Sequence, residues 1–485
     1  MNIDSLPLDF MHSHVPGRID DSALAAYQAY MEAHGRAISE SVDRQGTPAF
    51  RMFDRFGVRV DEILYPPEYW SLLREGYRAG SVWRALAENS LVTPYLLGYI
   101  TSFYDPGLYC PYTVSLSTAV PLDKYAAPEV RERFLPQMLA RDGSGWQGAT
   151  WMTEERGGSD LGATVDTIAR DCGDHWELTG DKFFCSNVGA EVAVVAARPE
   201  PASAGIKGLE LFAVPRLRSD GGLNYQVRRL KDKIATRLVP TGEVELRASE
   251  AFLLGKRGGG IYLILESLNL SRVANCIGSV ALAQRALSEA WEFAKGRTAF
   301  GKPVAEHPLL RRQFAERAEV LDQAFALAWE AVRLIDQVWH ERPPYSDRYH
   351  MFRLVTHLAK YWTADLAVQF SRWAVEVHGG AGILSDLPIE RLLRESIILP
   401  IWEGTPHRQM LDGMEVMERK GAHRLLLEHI QELGAETAEL NEMIPEINSW
   451  LALPREHREA GAEPVFQRLA ATVARSLASL PKSPA

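Results

Sequence analysis

A carboxylate set among bulky apolar residues and followed by glycine has the makings of a base. Such a group occurs in Ile398-Leu-Pro-Ile-Trp-Glu-Gly-Thr-Pro406, where Glu403 stands between Trp402 and Gly404. Burial disfavours the charged carboxylate and raises its pKa towards the range useful for general-base work near neutrality. The glycine leaves room for a substrate beside the backbone. The plainer alternative is a loop carboxylate that caps the next helix, a common arrangement.

Four other segments carry usable chemistry. Met152-Thr-Glu-Glu-Arg-Gly-Gly-Ser-Asp160 sets the hydroxyls of Thr153 and Ser159 around two glycines, Gly157 and Gly158, which permit a tight turn close to a planar ligand. Gly180-Asp-Lys-Phe-Phe-Cys-Ser-Asn187 reads as a strand on which Phe184 and Ser186 share a side, an aromatic surface beside a hydroxyl. In Arg297-Thr-Ala-Phe-Gly301 the guanidinium could pair with a phosphate, or simply favour the C-terminus of a helix ended by Gly301. Glu376-Val-His-Gly-Gly-Ala-Gly-Ile383 puts a glycine-rich turn after a helix, where amides can meet a pyrophosphate, without the strand and spacing of a dinucleotide fingerprint. Taken singly, an ordinary loop, a core phenylalanine or a helix stop explains each as well. Their order along one chain is the specific signal.

The elements that must position these groups follow from periodicity. Residues 1–145 read as helical, with Asp20-Asp21 capping a run through Leu24, Tyr27 and Met31. Residues 146–256 switch to short β-rich runs: His175–Thr179, Lys182–Ser186, Val192–Val195, Leu209–Val214 and Glu243–Leu246. Turn signals such as Thr179-Gly180-Asp181 separate them, which predicts a small antiparallel barrel or sandwich. Residues 257–419 return to helices, with Val273, Ile277, Val280, Leu287, Trp291 and Ala294 on one face, then further helical runs over 311–339 and 349–377, and a last one from Pro406. Residues 420–485 form an amphipathic helical extension broken at Pro445 and Pro454, with its last residues frayed. The fold class is α+β, mainly α.

Bulk properties bound the function. A chain of 485 residues exceeds what one core usually organises. Its net charge of −10 opposes a generally basic nucleic-acid surface. The N-terminus lacks a signal-peptide pattern and no apolar run approaches a bilayer span, so a cytoplasmic protein without membrane contact is expected. The 4 cysteines lack paired spacing and read as reduced thiols, with no metal site expected.

Taken together, the segments resemble the acyl-CoA dehydrogenase superfamily over about residues 50–415. Thr153–Asp160 fits its flavin loop, Gly180–Asn187 its strand motif, Arg297–Gly301 its Arg-x-x-Phe-Gly element and Gly379–Ile383 its Gly-Gly-x-Gly element. Pro388–Glu395 fits the Pro-Ile-Glu-Arg element and Trp402–Thr405 the Trp-Glu-Gly-Thr element. Within the superfamily the chain is most similar to the AidB-like branch, through Phe53–Asp61, Arg229–Ile234, Gly258–Leu265, Ile401–Gly404 and the C-terminal extension.

The resemblance implies an N-terminal helical domain, a middle antiparallel β-domain, a C-terminal four-helix bundle and FAD as cofactor. It implies that Met152, Thr153, Gly158, Ser159, Phe184 and Ser186 meet the flavin. Arg297, Phe300, Glu376, Gly379, Gly380, Thr405 and His407 would hold the rest of FAD, in part across a subunit interface of a homotetramer or homodimer. Ser159, Arg272 and Gly404 would contact the acyl-CoA or related acyl thioester. Glu403 would remove the α-proton as hydride leaves the β-carbon for flavin N5, and its backbone N–H would stabilise the enolate. Electron-transfer flavoprotein or a similar acceptor would reoxidise the enzyme. The chain departs from the family pattern at Phe184, Asn269, Ala235, Leu238 and His407, and the acyl group stays open. An acyl-thioester oxidase on the same fold is an alternative; an AidB-like DNA-associated flavoprotein with little turnover is another. Residues from Lys420 onward show no cationic excess, so nucleic-acid binding is not expected.

Overall fold

Residues 3–15, 21–201 and 203–480 are described by the computed structural model of the chain. They fall into two compact units: Ala29–Thr101 with Asp105–Ser271, and Met1–Gln28 with Ser102–Tyr104 and Arg272–Ala485. No helix among the described residues is long and apolar enough to cross a membrane.

The helices before the sheet are α1 Pro7–His14, α2 Ser22–Tyr30, α3 Arg36–Gln45, α4 Pro67–Ala79, α5 Trp83–Ala87, α6 Val92–Tyr104, α7 Tyr109–Tyr125 and α8 Pro128–Met138. Leu24, Tyr27 and Met31 are buried, as their spacing predicts. The expected cap is Asp21, whose Oδ1 accepts the Ala23 N–H at 2.8 Å; Asp20 lies outside the described residues. The helical reading misses one hairpin, β1 Ala49–Phe53 with β2 Arg59–Leu64. Asp54 shapes its turn: Oδ1 accepts the N–H groups of Phe56 and Val58 at 2.8 and 2.9 Å.

The sheet of the first unit contains β3 Gly148–Trp151, β4 Ile168–Asp171, β5 Trp176–Ser186, β6 Val192–Pro199, β7 Glu210–Pro215, β8 Tyr225–Leu230 and β9 Thr241–Leu253, with a short helix α9 Leu161–Thr164 after β3. The antiparallel pairs β4–β5, β5–β9, β9–β7 and β7–β6, with the parallel pair β6–β4, close a ring. β3 joins β6 in parallel and β8 joins β9. Closure leaves one core, filled by residues such as Trp151, Trp176, Leu178, Val195, Phe212 and Leu246. The runs 175–179 and 182–186, expected as two strands parted by a turn, are one strand. Gly180 is a bulge between them at φ 155°, and a Cβ there would sit 2.5 Å from Thr167 Oγ1.

α10 Gly260–Gly296 begins at the glycine run. Glu210 on β7 accepts the Gly258 N–H and, at 2.8 Å, that of Gly260, so a carboxylate faces the positive end of the helix. The hairpin β10 Thr298–Ala299 and β11 Lys302–Pro303 follows. Gly301, read as a possible helix end, therefore lies in the turn of this hairpin, and the helix stops at Gly296. α11 Pro308–Val338 packs on α12 Asp347–His378. A 3-10 turn over Gly379–Ile383 leads to α13 Pro388–Ser396 and α14 Pro406–Lys420. Leu282 of α10 meets Ala364 and Ala367 of α12, with Leu399 in the same cluster.

The extension forms α15 Ala422–Glu432, α16 Ala438–Leu451, α17 Arg455–Ala460 and α18 Ala462–Ala478; its fraying past 480 lies outside the described residues. Pro454 does separate two helices, but Pro445 lies inside α16. It is on the exposed face, while Met443, Ile447 and Trp450 bury the other face. α18 packs on α11, α12 and α14. The ring of Phe466 fills the space over Gly413 of α14, where a Cβ would lie 2.2 Å from it. A Gly413→Leu substitution is therefore expected to lower stability by about 1–3 kcal/mol, read by urea unfolding, through overpacking against Phe466.

Candidate active site

The loop from Leu399 to Gly404 bends sharply before α14. Glu403 and Gly404 both take left-handed backbone conformations, φ 57° and 99°. For a residue with a Cβ that conformation costs of order 1–3 kcal/mol, so the surroundings must impose it. They do so by donating to the loop carbonyls. Arg272 Nε donates to the Glu403 carbonyl at 3.1 Å. Gln409 Nε2 donates to the carbonyls of Glu403 and Gly404 at 3.0 and 2.9 Å. Lys360 Nζ donates to those of Pro400 and Gly404 at 2.9 and 2.7 Å, and Asn275 Nδ2 to that of Leu399 at 3.1 Å. Behind them, Gln409 Oε1 accepts from His357 Nδ1 at 2.8 Å, which assigns the proton to that nitrogen. Asp412 faces Arg272 at 3.5 Å.

The backbone is thus fixed while the carboxyl group is left alone. Glu403 Oε2 is buried with no hydrogen-bond partner. Desolvation pushes its pKa up to about 7, against the pull of the Arg272 and Lys360 charges. Desolvation also brings Lys360 down to about 7, helped by Arg272, and holds His357 down at about 3, so that imidazole is neutral. The capping role is not taken by Glu403: the N-cap of α14 is Thr405. Thr405 is half-buried and His407 exposed. Arg272, expected at the substrate, is buried and turned to the loop carbonyl and Asp412.

In the same unit Arg297 and the Gly379 turn come together: Arg297 Nη1 lies 3.7 Å from where a Gly379 Cβ would be. Gly379 and Gly380 are exposed, and Glu376, one turn earlier, pairs with Arg372 at 3.2 Å. Phe300, at the hairpin tip with φ 51°, is 97% exposed.

In the first unit the loop after β3 is anchored by a buried ion pair. Lys182 Nζ donates to Glu154 Oε1 at 2.7 Å and to the Ala196 carbonyl at 2.7 Å. Glu154 also accepts the backbone N–H groups of Asp166 and Thr167 and the Thr167 hydroxyl. Gly158 is required, since a Cβ would sit 2.4 Å from Thr153 Oγ1. Thr153 and the strand meet through the Phe183 N–H to Thr153 carbonyl bond at 3.0 Å. Met152 is buried, Ser159 exposed, and Phe184 and Ser186 face outward from β5 while Cys185 enters the core. The Lys231 ammonium lies 4.6 Å from the Phe184 ring centroid.

No sequence pattern assigns a role to Lys182, Glu154, His357, Gln409 or Asp412, or an explicit one to Lys360. Lys360 had a signal: a lysine in the apolar run Leu358-Ala359 of a helix must find a partner when buried. The others are ordinary polar residues until the chain is folded. Among the described residues one trio, Cys172, His175 and Glu177 at the β4–β5 turn, has metal-ligand spacing, and Glu177 is engaged by Arg170.

Comparison with known proteins covers most of the chain. Residues 5–142 match the adaptive response protein AidB N-terminal domain, 149–249 the acyl-CoA dehydrogenase middle domain and 258–417 the acyl-CoA dehydrogenase C-terminal domain. The putative acyl-CoA dehydrogenase AidB of Escherichia coli is 28% identical over 436 residues, 87% of this chain and 78% of that one. The solved structure of the apo form of Bd2924 superposes with TM-score 0.86 at 28% identity, covering 97% of this chain and 95% of that one. That of Caenorhabditis elegans ACDH-11 in complex with C11-CoA gives TM-score 0.79 at 25% identity over 96% and 88%.

The ion pair beneath the β3 loop supplies a test. Lys182→Met leaves Glu154 without its counter-charge and is expected to cost about 3–5 kcal/mol in urea unfolding. A cost below about 1 kcal/mol would mean that the backbone donors and Thr167 hold Glu154 unaided.

Proposed function

Because the chain belongs to the acyl-CoA dehydrogenase superfamily, on its AidB-like branch, we propose that it dehydrogenates an acyl-CoA thioester with Glu403 as the base that takes the α-proton. As a member it is an FAD-dependent oxidoreductase of the acyl-CoA dehydrogenase type. The observation that carries the role of Glu403 is its carboxyl group: raised to about 7, with one oxygen lacking any partner, on a loop whose backbone is held rigidly. A base so tuned is half ionised near neutrality and has no internal bond to break before it accepts a proton.

The residues present fit FAD. Gly158 packs directly on Thr153, Phe184 is an outward aromatic beside Ser186, and Arg297 lies by the exposed turn Gly379-Gly380. In this reading Met152, Thr153, Gly158, Ser159, Phe184 and Ser186 hold the flavin ring, offering one aromatic face and several polar groups. Arg297, Phe300, Glu376, Gly379, Gly380, Thr405 and His407 hold the remainder, the guanidinium and the turn amides meeting phosphate charge. Bound FAD supplies the hydride acceptor. Gly404 and the Glu403 backbone line the thioester, where a fixed N–H stabilises the charge that builds on the carbonyl oxygen. Arg272 serves the acyl-CoA indirectly, by fixing that peptide.

The substrate class follows the C11-CoA complex of the C. elegans relative. The acceptor in this reading is an electron-transfer flavoprotein or a similar carrier, and the assembly is a homotetramer or homodimer. A DNA-associated role is the second reading, drawn from the AidB N-terminal domain match. The extension gives it little support, since Arg455, Arg458, Arg468 and Arg475 are each paired with a glutamate.

Anaerobic titration of the FAD-bearing protein with straight- and branched-chain acyl-CoAs tests the reading. At least one should bleach the flavin, and Glu403→Gln should slow that bleaching by about 10²–10⁴-fold while leaving FAD bound. The base works ionised, so the rate should rise with pH through about 7 and level off above it. If no acyl-CoA bleaches the flavin, the proposal fails.

A further inference from the structure

The best-anchored feature that the proposed chemistry does not itself use is Lys360. It sits in the middle of α12, is 1% exposed, and points its ammonium group at two carbonyls, those of Pro400 and Gly404. These lie at the two ends of the five-residue segment Pro400–Gly404 that contains Glu403. One nitrogen therefore spans the segment and closes it into a loop. Glu403 is the penultimate residue inside, in the left-handed conformation that its Cβ resists.

On the reading that Glu403 is the base, we propose that Lys360 is a positioning residue that sets both the geometry and the strength of that base. It clamps the two ends of the loop, and its charge favours the ionised carboxylate.

The two effects have different physical needs. A neutral amine keeps two N–H donors, enough for both carbonyls, so the clamp persists whichever way Lys360 is protonated. The electrostatic effect exists only while the nitrogen is charged. The charged and titratable groups around the loop are few. Arg272 from α10 favours ionised Glu403, as Lys360 does, and in turn disfavours charge on Lys360. Cys276 on α10 also bears on Lys360, and its thiol stays protonated because burial raises it to about 12. Asp412 balances Arg272, with Arg353 and Arg408 further contributors there, and His357 is neutral. Arg272 binds the Glu403 carbonyl and Gln409 those of Glu403 and Gly404; among the described residues only Lys360 ties that end back to Pro400. Removing Lys360 therefore unties the two ends of the loop from each other, leaving Asn275 on Leu399 alone at the near end, and takes a positive charge from the neighbourhood of Glu403.

The test compares wild type, Glu403→Gln, Lys360→Met and Lys360→Arg, each carrying FAD, in anaerobic single-turnover bleaching by an acyl-CoA across pH. Lys360→Met should slow bleaching by about 100-fold, the scale of a reacting group displaced by about 1 Å. Its pH midpoint should move up by about one unit, the effect of losing an opposite charge nearby. Acyl-CoA affinity should stay within about twofold, because the ammonium is not at the substrate. Lys360→Arg keeps charge and several donors, and should recover the rate to within about tenfold with the midpoint unmoved. A folded Lys360→Met protein that bleaches at the wild-type rate with the wild-type midpoint overturns the proposal. So does a Lys360→Arg protein that bleaches 100-fold slowly, a result that decides the matter even if Lys360→Met does not fold. Failure of the underlying reading looks different: wild type itself would not bleach, or Glu403→Gln would bleach normally.

Discussion

The arrangement depends on one constraint: a peptide that resists its own conformation must be held by its carbonyls. Side chains cannot grip a backbone N–H and leave it available to a ligand, but they can grip the C=O groups and fix the N–H by planarity. Arg272, Gln409, Lys360 and Asn275 do this over the segment Leu399–Gly404. Three helices are committed to the task, α10 through Arg272 and Asn275, α12 through Lys360 and His357, and α14 through Gln409 and Asp412. Their packing brings four polar side chains to one small loop and sets His357 and Asp412 behind them, and the same burial that makes those polar contacts strong raises the Glu403 carboxyl group.

The two units share a device. In each, a fully buried lysine ties a loop to regular structure: Lys182 binds the loop after β3 to β6, and Lys360 binds the Glu403 loop to α12. The partners differ. Lys182 meets a carboxylate and stays within an ion pair, whereas Lys360 meets only carbonyls, with compensating charge more remote. Burial lowers the pKa of both lysines; beside Lys182 the Glu154 carboxylate opposes that directly, whereas Lys360 falls to about 7.

Much of this was legible in the chain. The switch from period 3.6 to short β-rich runs near residue 146 and back near 257 located the sheet region, and Leu24, Tyr27, Val273 and Ile277 are buried as their spacing requires. The family motifs were legible because glycines and aromatics in fixed order leave a trace. What stayed hidden depends on tertiary contact. The bulge at Gly180 looks like a turn in sequence, because glycine serves both, and only the Thr167 side chain packed against it decides. The hairpin at 49–64 lies in a helical context and has an Asp54 turn without the Asn-Gly or Asp-Gly pair that marks short hairpins. Pro445 suggested a break, but Met443, Ile447 and Trp450, buried on the opposite face, carry α16 through it. Gln409 and His357 are 52 residues apart and carry no signal until α12 and α14 lie side by side.

The contact between Gly413 and Phe466 reaches further than its own packing. Gln409 and Gly413 are one turn apart on α14, so the ring of Phe466 presses on the same face of the helix that presents Gln409 to the Glu403 carbonyl. His429 of α15 adds a second fastening, to Glu330 of α11 at 2.6 Å. The C-terminal extension therefore braces α14, the helix whose Gln409 holds the Glu403 loop, so a change that loosens Phe466 reaches that peptide across more than fifty residues of chain.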